Sequence, residues 1–246
     1  MQNLKGKSVL VTGGARRIGR EIALALADAG ADVAITYLHS QQDAMQTYHD
    51  LQAKGIRSLC LFCDVRDALN VHKTVAEVAS MLGGIDVLVN NAAIYETVAF
   101  EEITPEQWEN MFLTNTRGPF LVTREALPLL RERRGRVINI GSLGGLRPWT
   151  THAHYCASKA SLTMLTQIMA KALAPEVAVN CVAPGMISLA TAEPTGWLKD
   201  IAEKTPMKRA GYADDVVQAV RFFAASTHFI TGQILAVDGG LGLSTL

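Results

Sequence analysis

Residues 7–30 read KSVLVTGGARRIGREIALALADAG. A short apolar run, Ser8 to Val11, meets two glycines and passes into a segment of helical period that closes on Gly30. Strand, glycine turn, helix is the opening of a dinucleotide-binding unit. In it the backbone N–H groups of the turn and the positive end of the helix form a seat for a pyrophosphate. The turn, TGGARRIG (12–19), supplies Gly13, Arg16, Arg17, Ile18 and Gly19 as candidate contacts. Glycines at a strand-to-helix turn also serve plain backbone needs, so the neighbouring segments have to decide.

Outward from it the alternation repeats. ADVAITY (31–37) precedes SQQDAMQTYHDLQAKG (40–55), and RSLCLFCDV (57–65) precedes DALNVHKTVAEVASMLGG (67–84). IDVLVNN (85–91) is followed by the helical run 104–133, then GRVINIGS (135–142), a helix over 153–174, and VAVNCVAP (177–184). Strands apolar on both alternating faces expect helices on both sides, hence a parallel sheet. Right-handed crossovers then make it doubly wound. The expected fold is α/β, a Rossmann-type, mostly parallel seven-stranded sheet in one domain spanning 1–246. Gly30 and Gly55 punctuate helix ends, and Thr104, Pro105 and Gln107 form a helix-start signature. Residues 188–210 mix prolines and Gly196 with a short amphipathic piece and read as a substrate lid. A closing helix near DDVVQAVRFFAAS (214–226) leads to a last strand in GQILAVDGG (232–240).

The 246-residue chain is 49% hydrophobic, enough for a sizeable core. Its 23 Lys and Arg balance 23 Asp and Glu, so no global field draws nucleic acid or an anionic membrane surface. The opening reads as a first strand and not as a signal peptide, and no apolar stretch reaches membrane-helix length. A cytoplasmic protein is expected. The four cysteines, Cys60, Cys63, Cys156 and Cys181, suggest no disulfide framework. The Cys60–Cys63 pair falls in an apolar run that reads as a buried strand. His152 and His154 lack the partners a zinc site needs, so no metal is expected.

The second strand ends ITYLHS (35–40), with no carboxylate where one would hold the ribose 2′-OH of NAD. Arg16, Arg17, His39 and Ser40 could instead meet a 2′-phosphate, which favours NADP(H); a solvated surface place is the alternative for each, weaker for Arg17 than for Arg16 and His39. Tyr155 and Lys159, in YCASK (155–159), lie one helical turn apart on a shared face. A phenol is a poor acid–base catalyst at neutral pH, and a nearby ammonium would lower its pKa. Ser142, at the end of the fifth strand, would hydrogen-bond a reacting oxygen.

Together these residues resemble the short-chain dehydrogenase/reductase family over nearly the whole chain. TGGARRIG is similar to its cofactor turn, Asp64 with Val65 to its adenine contact, and NNAA (90–93) to its Asn-Asn-Ala-Gly motif. Asn115 matches its fourth-helix asparagine, and Ser142, Tyr155 and Lys159 fall at its catalytic spacing. The Pro184–Gly185 pair and the closing VDGG (237–240) follow in order. The resemblance implies hydride transfer between nicotinamide and a small carbonyl or alcohol. Asn115 would order a water in a proton relay with Lys159, and Asn91, Ala92, Ala93, Pro184, Gly185 and Ile187 would line the cofactor. By the same analogy a homotetramer is expected. Asn90 and Asn91 could also be turn-forming residues, and Asp64 a strand-end cap.

Residues 204–226 and the final strand look most like 3-oxoacyl-carrier-protein reductases, which points to a 3-oxoacyl compound or a general ketone. Arg17, where many members have glycine, and LAPEVAVN (173–180) are similar to pteridine reductases, the alternative substrate class. Ser142 argues against it, since those enzymes typically carry Asp there. Leu189 replaces the usual Thr, leaving its contact to Ser188 or Thr191, and Ala93 adds one methyl beside the cofactor. Trp149, Trp197, His152, His154 and Arg147 flank the expected site. A non-catalytic, dinucleotide-binding regulatory protein is the reading from another class; the intact Ser142, Asn115, Tyr155 and Lys159 set weighs against it.

Overall fold

The alternation of Val9, Leu10 and Val11 sends neighbouring side chains to opposite faces of the first strand, and both faces are buried. The computed structural model describes residues 3–188 and 196–243. Strand β1 (Ser8–Val11) is followed by α1 (Arg17–Asp28), β2 (Asp32–Tyr37), α2 (Gln41–Gln52), β3 (Ser58–Phe62), α3 (Ala68–Leu82) and β4 (Val87–Asn90). Next come α4 (Pro105–Phe112), a π-helical turn at Leu113–Arg117, α5 (Gly118–Glu132), β5 (Arg136–Ile140), α6 (Ala153–Ala172) and β6 (Ala178–Pro184). A two-residue bridge joins β7 (Ile187–Ser188) to β8 (Gly211–Tyr212), with α7 (Trp197–Lys204) between them; α8 (Ala213–Ala225) and β9 (Ile234–Val237) close the fold.

The sheet runs β3-β2-β1-β4-β5-β6-β9, and every pairing in it is parallel. The sevenfold doubly wound expectation therefore holds. Val9, Val11, Val33, Ile35 and Val182 pack on one face against α1 and α8. Leu10, Ala34, Leu88, Val137 and Val179 pack on the other against α3, α5 and α6. At ~1.5–3 kcal/mol per buried aliphatic side chain, these two layers carry the favourable side of the fold's stability.

The order reverses at β1, with β2 on one side and β4 on the other, and opens a crevice at the strands' C-terminal ends. Because all strands are parallel, the residues just past each of them share that rim.

Two local readings change. The run 104–133 starts with the expected capping box, Thr104 Oγ1 accepting from Gln107 N at 3.2 Å, but a π-helical turn interrupts it at Asn115. Strand β3 is an edge strand rather than a buried one, with Phe62 54% exposed and Cys60 half-buried. Cys60, Cys63, Cys156 and Cys181 are free thiols. Within 188–210 the amphipathic piece is α7, while residues 189–195, including Leu189 and Thr191, lie outside the described residues, and Ser188 is buried in β7.

Candidate active site

The turn after β1 is held by hydroxyls and one amide. Thr12 Oγ1 accepts from the N–H of Asn91 (3.0 Å) and of Ala92 (3.1 Å), and Thr36 Oγ1 accepts from Gly13 N at 3.1 Å. Asn91 Nδ2 donates to the carbonyls of Thr12 (3.0 Å) and Gly13 (2.9 Å). Gly13 has φ +63°, and a Cβ there would come 2.9 Å from Ala92 Cα; one on Gly19 would come 2.3 Å from Gly13 O. The turn is thus a cradle whose floor only glycine fits, and it matches the needs of a dinucleotide pyrophosphate.

Arg17 has φ +53°, a left-handed conformation that costs a residue with a side chain ~1–2 kcal/mol. Arg16 and Arg17 are exposed at the helix start, with Ile18 half-buried behind them. Arg16 reaches Asp43 at 3.9 Å, both more than half exposed, a pair worth ~0–1 kcal/mol and easily given up for a phosphate. At the end of β2, His39 is exposed and Ser40 begins α2 without a side-chain capping bond.

Past β3, Asp64 is gripped by Arg66, whose Nε and Nη2 donate to its two oxygens at 2.9 and 2.7 Å, while Nη1 donates to Asn110 Oδ1 at 2.7 Å. Arg66 holds the Asp64 carboxyl below its usual pKa. Val65 is buried. Asn90 is a buried strand residue and not a turn former: its Nδ2 donates to Asn139 Oδ1 (2.9 Å) and Thr123 Oγ1 (3.0 Å). Ala92 is half-buried and Ala93, with its extra methyl, is exposed. Gly185 closes onto β9 through its N–H to Val237 O (2.9 Å), and Pro184 and Ile187 flank it.

Asn115 is fully buried in the π-helical turn. Its Oδ1 accepts from Ile94 N (2.9 Å), and its Nδ2 donates to Ile94 O (3.0 Å) and Ser158 Oγ (3.1 Å). Ser158 Oγ in turn donates to Tyr155 O at 2.7 Å. The Asn115 side chain is therefore a brace between the loop after β4 and the helix carrying Tyr155. A π-turn is a common marker of such a site.

Ser142 starts a short helical turn, its hydroxyl accepting from Gly144 N at 3.0 Å and lying beside the Tyr155 phenol. Lys159 is 3% exposed; its Nζ donates to Ile140 O at 2.8 Å and lies 5.9 Å from the centre of the Tyr155 ring. Burial pushes Tyr155 up to about 12, with the neighbouring Ser142 hydroxyl opposing it, and burial pulls Lys159 down to about 8. The expected lowering of the phenol by Lys159 is not found; desolvation sets the direction of the shift, and it is upward. The phenol keeps its proton at neutral pH, the state an acid needs.

Four residues of this rim carry weight beyond the motif positions. Thr12 and Thr36 set the turn, Ser158 links Asn115 to Tyr155, and Tyr95 packs edge-on against Tyr155 with ring centres 4.9 Å apart. A threonine at a strand end and an aromatic five residues past Asn90 were the available signals. Among the described residues no cluster of three or more His, Cys, Asp and Glu could hold a metal, and no helix is long and apolar enough to cross a membrane.

A family model described as enoyl-(acyl carrier protein) reductase matches residues 13–242. The 3-oxoacyl-[acyl-carrier-protein] reductase of Staphylococcus epidermidis RP62A is 38% identical over 240 residues, covering 96% of this chain and 98% of that protein. The chain belongs to the short-chain dehydrogenase/reductase family. A double mutant of a family member from Serratia marcescens superposes with a TM-score of 0.92 at 32% identity, covering 97% of this chain and 99% of that one. A blue fluorescent protein from a metagenomic library, solved in complex with NADPH, gives 0.91 at 34% identity, covering 98% and 99%. As a family member the chain is an oxidoreductase acting on carbonyl or alcohol groups with a nicotinamide cofactor.

Proposed function

We propose that this chain is an NADP(H)-dependent reductase of small carbonyl compounds, either 3-oxoacyl or general ketone. The observation that carries the reading is the buried, protonated Tyr155 phenol beside Ser142, with the Lys159 ammonium one turn on and its Nζ 5.9 Å from the ring centre. The Ser142 and Tyr155 hydroxyls grip the carbonyl oxygen. A nicotinamide held in the crevice by Asn91, Gly185 and Ile187 would supply the hydride for the carbonyl carbon. Tyr155 gives its proton to the oxygen as negative charge develops there, and Lys159 steadies the phenolate left behind. Asn115 positions Tyr155 through Ser158 and takes part in refilling its proton. Asn91, Ala92, Ala93, Asp64, Val65, Pro184, Gly185 and Ile187 line the cofactor, with Gly13, Ile18 and Gly19 at its pyrophosphate.

Arg16, Arg17, His39 and Ser40 receive the 2′-phosphate, and β2 ends without the carboxylate that would repel it. The NADPH complex of a 34% identical relative supports that choice. The chain is proposed to work as one domain with 188–210 as substrate lid, in the cytoplasm. It is also proposed to be a homotetramer, supported by an apolar groove of about 580 Å³ along Trp108, Phe112, Phe120 and Leu165 that a second copy would cover. A pteridine reductase is the second reading, resting on Arg17. NADPH oxidation with acetoacetyl thioesters, simple diketones and biopterin tests the function; turnover of biopterin alone would reverse the order of the two readings.

Two quantitative expectations arise here. Arg17→Gly should raise KM for NADPH about tenfold and leave NADH within about twofold, because one charge-assisted contact to the extra phosphate is lost. Folding stability should move by less than ~1 kcal/mol, relief of the left-handed backbone offsetting glycine's entropy. Equal effects on both nucleotides would remove Arg17 from phosphate recognition.

The second concerns pH. Lys159 sits at about 8, so its charge fades as pH rises through that value. The kcat/KM for NADPH, a property of the free enzyme, should be level below about pH 7 and fall above about pH 8. A profile that stays level through that window would show that the ammonium is not required.

A further inference from the structure

We propose that the carbonyl compound taken by this site is a planar aromatic ketone, seated against a wall of three rings, Tyr95, His152 and Trp149. The assignment rests on the reductase reading above and sharpens its substrate. Tyr95 stands edge-on to Tyr155 at 4.9 Å and stacks on His152 at 4.8 Å with 27° between planes. Trp149 meets His152 edge-on at 5.7 Å and lies within 18° of parallel to Tyr155, 6.3 Å away. The rings form one arc around the candidate acid. A substrate whose oxygen reaches Tyr155 and Ser142 has to lay its substituents beside that arc.

The wall is built and held. Tyr95 comes from the loop after β4, while Trp149 and His152 come from the segment joining Ser142 to Tyr155, and the two loops are tied by Val98 N donating to Thr151 O at 3.0 Å. His152 is fixed from both sides: Thr151 Oγ1 lies 2.9 Å from its Nδ1, and Thr97 Oγ1 lies 3.0 Å from its Nε2, which the Tyr95 hydroxyl also meets. Burial lowers the His152 pKa, which favours the neutral ring. Tyr95 is 53% exposed, leaving ring surface open to a ligand.

A pre-ordered aromatic surface rewards a rigid aromatic partner through ring–ring geometry in addition to area. A linear acyl chain gains the area alone and gives up rotor freedom.

The test compares kcat/KM for acenaphthenequinone with that for butanedione, two vicinal diketones. Each is reduced at one carbonyl to a hydroxyketone by one hydride on carbon and one proton on oxygen, and only the flanking plane differs. Intrinsic reactivity enters the wild-type ratio but cancels between variants. Tyr95→Leu and Trp149→Leu, which keep bulk and remove the ring, should each lower the aromatic-to-linear ratio tenfold or more, and Tyr95→Phe should hold it within twofold. An unchanged ratio in both leucine variants overturns the proposal while leaving the reductase reading intact. Failure of the wild-type protein to reduce either diketone, with NADPH bound, overturns the reductase reading and this assignment with it.

Discussion

Tyr155→Phe is expected to lower kcat for carbonyl reduction about 10³-fold, the scale of a lost general acid, while the Kd for NADPH stays within about twofold. The phenylalanine ring keeps the packing against Tyr95 and Trp149 and removes only the hydroxyl that lies beside Ser142. Stability should therefore change by no more than the ~0.5–1.5 kcal/mol net worth of one hydrogen bond. The proton on that oxygen is what the site protects. With the phenol at about 12, ordinary pH never ionises it in the free protein, so activity should not show a second, higher limb from Tyr155 below pH 10. Near-normal turnover by the phenylalanine variant, measured by NADPH oxidation beside a nucleotide titration, would take the acid role away from Tyr155. The dinucleotide-binding regulatory reading would then have to be reconsidered.

Much of this was legible in the residues because it rests on local rules. Val9, Leu10 and Val11 announce a strand buried on both faces, and Thr104 with Gln107 announces a helix start, since each pattern is written in neighbouring side chains. Parallel order then carries Gly13, Asn91, Ser142 and Gly185 to one rim without further information. What stayed hidden depends on distance or on competition between forces. The edge position of β3 follows from strand order, to which RSLCLFC is blind. The π-turn at Asn115 is a one-residue slip in hydrogen-bond register that leaves composition untouched. Spacing puts Lys159 near Tyr155 but is blind to burial, which sets the direction of the phenol's shift. Asp64 shows the opposite case. Arg66 stands two residues away in the sequence, and the grip it takes on the carboxylate is local enough to have been foreseen.

Gly19→Ala is expected to weaken NADPH binding about a hundredfold, ~2.7 kcal/mol, and to cost ~1–3 kcal/mol of stability. The added methyl would lie 2.3 Å from Gly13 O and 2.5 Å from Asn91 Nδ2, and neither can retreat cheaply. Gly13 O is a backbone atom of the turn, and Gly13 itself is pressed against Ala92 Cα, where its own absent Cβ would come within 2.9 Å. Asn91 Nδ2 is held by the carbonyls of Thr12 and Gly13, so moving it breaks the two bonds that fix the turn's height above β4. The displaced N–H groups would then miss the pyrophosphate even though Arg17 is untouched, and NADPH and NADH should suffer alike. That equality separates a damaged cradle from a lost phosphate contact, which penalises NADPH alone. Gly55→Ala supplies the contrast. Gly55 also has a positive φ, +74°, but no atom lies within 4 Å of its absent Cβ, so the cost is backbone strain of ~1–2 kcal/mol with nucleotide affinity unchanged. Calorimetric titration of both variants with both nucleotides reads the difference, and full affinity in Gly19→Ala would mean that the pyrophosphate does not sit on this turn.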